Sequence, residues 1–137
     1  MRLTKFFTFF GKTWWLGKFF LSEFWRLGSV KLLILAALFF NLAAWFLAWL
    51  IIARLPDGQT AVILHYNVLF GIDFIGERWQ VWLLPFYGLL ICLGNNLLAV
   101  WLYGRDRLAA QLVCAAAAAA NLFLSLALLT IYLINSL

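Results

Sequence analysis

The sequence predicts an all-α integral membrane protein: three transmembrane helices, preceded by an amphipathic aromatic and basic interfacial arm, with a short β-like or hairpin extracytoplasmic loop. Three observations lead there. Of 137 residues, 67% are hydrophobic and 11% charged, and mean hydropathy is +1.02. Soluble domains are nearly half apolar and about a quarter charged, so a soluble core cannot absorb this much apolar surface. Three uncharged stretches also match the roughly 20 residues that about 30 Å of bilayer hydrocarbon requires of a helix. Finally, Lys and Arg are distributed unevenly around those stretches, which gives the chain a direction across the membrane.

The arm, residues 1–28, reads MRLTKFFTFFGKTWWLGKFFLSEFWRLG. At about 100° per residue, Thr4, Lys5, Thr8, Lys12, Ser22, Glu23 and Arg26 gather on one side, and Leu3, Phe6, Phe10, Trp14, Leu21, Phe24 and Trp25 on the other. Trp15 and Phe19 interrupt the polar face, and Gly11 and Gly17 weaken the helix, so one or two helical pieces are expected. Such an arm suits an anionic leaflet: Phe6, Phe10, Trp14 and Trp25 sit at headgroup depth while Lys5 and Lys12 reach phosphate. The alternative is an arm packed on a protein partner. The net charge of +5 also suits phosphate attraction, but no nucleic-acid motif accompanies it, and nucleic acid is not an expected partner.

The first span covers 29–53, with Leu32 to Ile52 uncharged between Lys31 and Arg54. It is too long for a signal-peptide core, and Ile51 stands at the minus-three place of LIIAR where a small residue is needed for cleavage, so a retained anchor is expected. The loop, 54–79, opens with a turn at LPDG, where Pro56 fixes φ and Gly58 permits a tight exit. AVILHYNVLF then reads as a strand, with Val62, Leu64, Tyr66, Val68 and Phe70 on one face and Ile63, His65, Asn67 and Leu69 on the other. Gly71 and Asp73 are expected to form a turn. So oily a loop should fold back as a cap on the helix ends, with His65, Asn67, Gly71 and Asp73 as its structural residues and a buried His65 imidazole bonded to Asp73.

The second span covers 80–103, the GRDR hairpin 104–107, and the third span 108–137. Cys92 and Cys114 fall inside spans without metal-ligand spacing and read as small packing residues. The polar residues within spans, Asn41, Asn95, Asn96, Gln111, Asn121, Ser125, Thr130 and Asn135, read chiefly as interhelical glue. Asn95 and Asn96 are the densest polar point and the best candidate position for a polar pathway. The run CAAAAAAN, including Ala116, Ala120 and Asn121, offers a smooth surface for close helix contact, either as the intramolecular seam or as a seam between copies.

Orientation follows from the cations. Arg2, Lys5, Lys12, Lys18, Arg26 and Lys31 precede the uncharged stretch of the first span and Arg105 and Arg107 fill the second hairpin, while the first loop holds only Arg54 and Arg78. A cytoplasmic amino terminus and an extracytoplasmic carboxyl terminus are expected.

The loop order LP, HYN, G, D and then LLP resembles a membrane domain found at the start of SdpI-type immunity proteins. It is still more similar to small hypothetical bacterial membrane proteins with an LHYN...FGID.IG loop. The similarity spans Leu55 to Pro85, with Leu64 and Ile72 standing near places where that domain usually carries prolines. The resemblance implies a bacterial membrane setting and envelope-stress or immunity work.

Sharper chemistries find little support in the residues. His65 is the only histidine, and Asp57, Asp73 and Glu77 at spacings of eight and four follow no metal signature. No serine neighbours His65, no glycine-rich phosphate loop exists, and all five acids lie outside the spans, which disfavours hydrolase and proton pump alike. No enzyme activity, cofactor or metal is expected. The expected role is a non-enzymatic inner-membrane subunit, structural or partner-binding, in a homo-oligomer or larger envelope complex. The alternative is a small oligomeric transporter or channel using Asn95 and Asn96.

Overall fold

A computed structural model of the chain describes residues 28–67, 69 and 71–136. The arm, with Lys5, Phe6, Phe10, Lys12, Trp14 and Trp25, lies outside the described residues. The elements are α1 (Gly28–Arg54), strands β1 (Ala61–Asn67) and β2 (Gly71–Glu77), a 3-10 helix (Arg78–Trp82), α2 (Leu83–Tyr103) and α3 (Arg107–Ser136). α1, α3 and the continuous Arg78–Tyr103 stretch are each long and apolar enough to cross a bilayer, so this is a multi-pass membrane-type helical protein with a two-stranded hairpin.

α3 is the central helix, against which α1 and α2 chiefly pack. The buried positions of α1 are Val30, Ile34, Ala37, Asn41, Ala44, Ala48 and Ile51, a strict alternation of steps of four and three. That is the 3.5-residue period of a left-handed supercoiled seam. Alanines at Ala37, Ala44 and Ala48 meet a seam on α3 that includes Ala110, Ala117 and Ala118, so the backbones come close enough for dense van der Waals contact. The bulky residues point elsewhere: Leu32, Leu35, Phe39, Leu42 and Phe46 are all exposed, as lipid contact requires.

A knot of two amides ties the three helices midway. Asn41 Nδ2 donates to Asn121 Oδ1 at 3.0 Å and to Pro85 O at 3.0 Å, and Asn41 Oδ1 accepts from Trp45 Nε1 at 3.1 Å. Asn121 Nδ2 donates to Gly88 O at 3.2 Å and to Ala117 O at 2.9 Å. Both side chains are buried, and all four amide hydrogens and both oxygens have partners, which hydrocarbon demands.

At the far end from the strands, Asp106 Oδ1 accepts from the N–H groups of Leu108 (2.9 Å) and Ala109 (3.1 Å), capping α3. Arg105 lies over the Trp101 ring at 3.9 Å and Arg107 over Tyr103 at 5.4 Å, holding two cations beside the aromatic helix ends.

β1 and β2 pair antiparallel, and here the structure corrects the expected turn and faces. Asn67 pairs with Gly71, so the strand resumes at Gly71 and Asp73 lies within β2 rather than in a turn. Gly71 adopts a positive φ of 80°, which glycine accepts without steric cost, and Asn67 Oδ1 accepts from Leu69 N at 2.9 Å. Strict alternation also fails. From Ile63↔Ile75 to His65↔Phe74, β1 advances two residues for one, leaving Leu64 unpaired; from there to Tyr66↔Ile72, β2 advances two, leaving Asp73 unpaired. Two opposed bulges therefore restore the register while re-aiming the side chains between them.

Candidate functional site

The hairpin is fastened to the helix ends at separate points. Asn135, near the end of α3, grips the Ile63 backbone as a neighbouring strand would: Nδ2 donates to Ile63 O at 2.8 Å and Oδ1 accepts from Ile63 N at 3.0 Å. Arg78 donates from Nη2 to Ile52 O at 2.7 Å, answering one of the carbonyls that the last turn of α1 leaves open. Its own N–H donates to Thr60 O at 2.9 Å, closing the base of the hairpin. Below these bonds, Val62 and Val81 are fully buried among Ala48, Ile51, Leu128 and Ile131, and Leu64 packs against the same cluster. Leu64 and Gln80 occupy the space where a side chain on residue 76 would lie, so Gly76 permits the fit. The rings of Trp45 and Trp82, 5.7 Å apart, and Arg54 over Tyr132 at 5.0 Å complete the attachment.

His65 and Asp73 meet, Nδ1 to Oδ1 at 2.6 Å. The bulges at Leu64 and Asp73 allow this diagonal contact. A carboxylate only accepts, so Nδ1 carries the proton and Nε2 is left for another partner. The expectation of a buried imidazole is corrected: the His65 side chain is 63% exposed and that of Asp73 41%. Asn67, expected to neighbour His65, instead serves the turn. Around the pair the hairpin exposes Tyr66, Leu69, Ile72, Phe74 and Ile75.

The other expected positions are dispersed. Asn96 Nδ2 donates to Cys92 O on its own helix at 2.7 Å, and Cys114 lies 3.7 Å from Asn96 Oδ1. Asn95 is half-buried beside it, and both stand apart from the Asn41 and Asn121 knot. Ala116 is exposed and Ala120 half-buried, whereas Ala117, Ala118 and Asn121 form the seam with the neighbouring helices. The Ala run therefore serves the intramolecular seam through part of its circumference and leaves Ala116 outside it. Among the described residues, no three His, Cys, Asp or Glu side chains gather as a metal set would.

Sequence reasoning did not single out Gly88, Arg78 or the hairpin-gripping role of Asn135. Asn135 carried a signal, an amide in the last turn of an apolar helix, but its partner lies 72 residues away. The chain matches no protein-family model, no curated protein and no solved structure.

Proposed function

We propose that this chain is a non-enzymatic subunit of a bacterial inner-membrane complex, with a cytoplasmic amino terminus, whose extracytoplasmic hairpin is a preformed platform for a protein partner. One observation carries the reading. A two-stranded hairpin is marginally stable alone, yet this one is clamped by Asn135 and Arg78 while Leu69, Ile72 and Ile75 stay exposed above the clamps. Rigid exposed apolar side chains lose little entropy on binding, the property of a recognition surface. The cation bias supports the orientation, since the hairpin side has few Lys or Arg and both Arg54 and Arg78 are engaged within the fold. The likeness of the order LP, HYN, G, D and LLP to the membrane domain at the start of SdpI-type immunity proteins favours an envelope-defence partner.

Two measurements test this. Alkaline phosphatase fused after Leu137 should be active in cells, and fused before Met1 silent; the reverse pattern puts the platform inside and overturns the reading. A photo-crosslinking amino acid at Ile72 should yield a discrete protein adduct in native membranes, absent from the same probe at lipid-facing Leu35. Equal adducts at both positions, or none at Ile72, would remove the platform.

A further inference from the structure

A groove of about 670 Å³ runs beneath the hairpin, between the start of α2 and the last turns of α3. We infer that it holds one acyl chain of a phospholipid from the hairpin-side leaflet, with the glycerol ester region of that lipid at the mouth near His65 and Gln80. This concerns the side of the hairpin that faces the helices, and so goes beyond the platform reading.

The volume lies within the roughly 300–1,000 Å³ of small-molecule pockets. Its position selects the occupant. The floor and one wall belong to membrane-spanning helices, through Leu83, Leu84, Ala127 and Ile134, while Leu64 and Phe74 of the hairpin form the roof. The recess is thus continuous with the lipid-facing surface, and an apolar recess left empty forfeits dispersion contacts that a chain from the bilayer supplies.

The recess exists because of residue size. Along one face of α3, Phe123, Ala127, Thr130 and Ile134 follow at steps of four, three and four. Phe123 is 69% exposed and bulky, whereas Ala127 and Thr130 are small, so the surface steps inward one turn nearer the hairpin. Thr130 does not make the floor polar, because its hydroxyl donates to Leu126 O at 3.1 Å on its own helix. Polarity sits near the roof instead. Asp73 occupies His65 Nδ1 and leaves Nε2; Glu77 N donates to Gln80 Oε1, leaving the Gln80 amide hydrogens as donors. The Gln80 amide hydrogens match ester carbonyl and phosphate oxygens, and His65 Nε2, unprotonated while Nδ1 carries the proton, accepts from a headgroup ammonium or hydroxyl, so no net anionic lipid is required.

The test uses the full chain in vesicles of phosphatidylethanolamine and phosphatidylglycerol, with a trace of phosphatidylethanolamine bearing a diazirine in its acyl chain. After illumination, adducts are mapped by mass spectrometry. Label should concentrate at Leu83, Ala127 and Thr130 relative to Leu112, an exposed position on the same helix as Ala127 but remote from the groove. Ala127→Trp, at an exposed position lining the groove, should lower labelling at Leu83 roughly tenfold, the effect of about 1.4 kcal/mol of lost binding. Labelling at Leu112 should not change. Uniform label around the helices overturns the inference, as does Leu83 labelling that survives Ala127→Trp. A photo-crosslink from position 127 to a second copy would place protein in the groove and overturn it too. If the Trp variant does not fold, the wild-type label distribution decides alone.

Discussion

Two polar pairs in this molecule live in opposite surroundings. Asn41 and Asn121, 80 residues apart, are 4% and 0% exposed, and each has partners for both amide hydrogens and for its oxygen. His65 and Asp73, eight residues apart, share one bond in the open. Among the described residues, the hairpin segment that looks most like a site is the less consequential for the fold, and the scattered amides are the more so. The reason lies in the solvent. An amide in hydrocarbon must find partners within the protein or forfeit several kcal/mol, whereas an exposed polar pair trades protein contacts for water at nearly equal value, a median of about 0–1 kcal/mol.

The sharpest way to break this contrast is Gly88→Ala. A Cβ there would lie 2.5 Å from Asn121 Oδ1 and 2.7 Å from Asn41 Nδ2, so both amides must move and their bonds to α2 are lost together. Overpacking and broken interhelical bonds combine to an expected loss of roughly 3 kcal/mol in detergent unfolding. Gly94→Ala is the control on the same helix, with nothing within 4 Å of the added methyl, and should be neutral or stabilising by up to about 1 kcal/mol. Equal losses in the two variants would mean that the knot contributes nothing beyond ordinary helix contact.

Next in size is Asn135→Leu. It leaves Ile63 N–H and C=O without their α3 partner, but touches neither the knot nor the seam alanines. Two lost bonds of about 1 kcal/mol each should loosen the hairpin while the helices stay associated. Limited proteolysis should cut between Thr60 and Glu77 much faster, with the unfolding midpoint of the helices little changed. Hairpin and helices failing together would show that they are one cooperative unit and that the hairpin is no separable attachment.

These variants also mark what could be read from the residues. The three helices were legible because apolar length between charges is set by bilayer thickness and needs no knowledge of partners. The hairpin was legible in kind, from β-branched residues around a glycine. Its turn and faces were not, because the bulges at Leu64 and Asp73 follow from seating Leu64 on the helix ends, a tertiary demand that overrides alternation. The His65 and Asp73 partnership was readable, but not its exposure, which depends on how Asn135 sets the hairpin on α3. Asn41 and Asn121 were visible as amides in lipid. That they meet at a glycine backbone on a third helix has no local signature, whereas Asn95 and Asn96, adjacent in sequence, are half-buried, and Asn96 Oδ1 faces Cys114 Sγ of α3 at 3.7 Å.

The smallest expected effect belongs to the residue that attracts most notice. His65→Gln keeps a donor, and His65→Leu removes all hydrogen bonding. Were the imidazole buried, the two would differ by the full cost of an unmet partner. With both side chains substantially exposed, Asp73 turns to water in either variant, and each should lower stability by less than about 1 kcal/mol. Protease resistance of the hairpin should therefore survive both changes and fail in Asn135→Leu. What His65→Leu should alter is labelling by the diazirine lipid at the mouth of the groove, where Nε2 is lost as a polar contact. A His65→Leu hairpin cleaved as readily as the Asn135→Leu hairpin would reverse the comparison, making the open pair a true fastening of the cap and leaving Nε2 without a separate role.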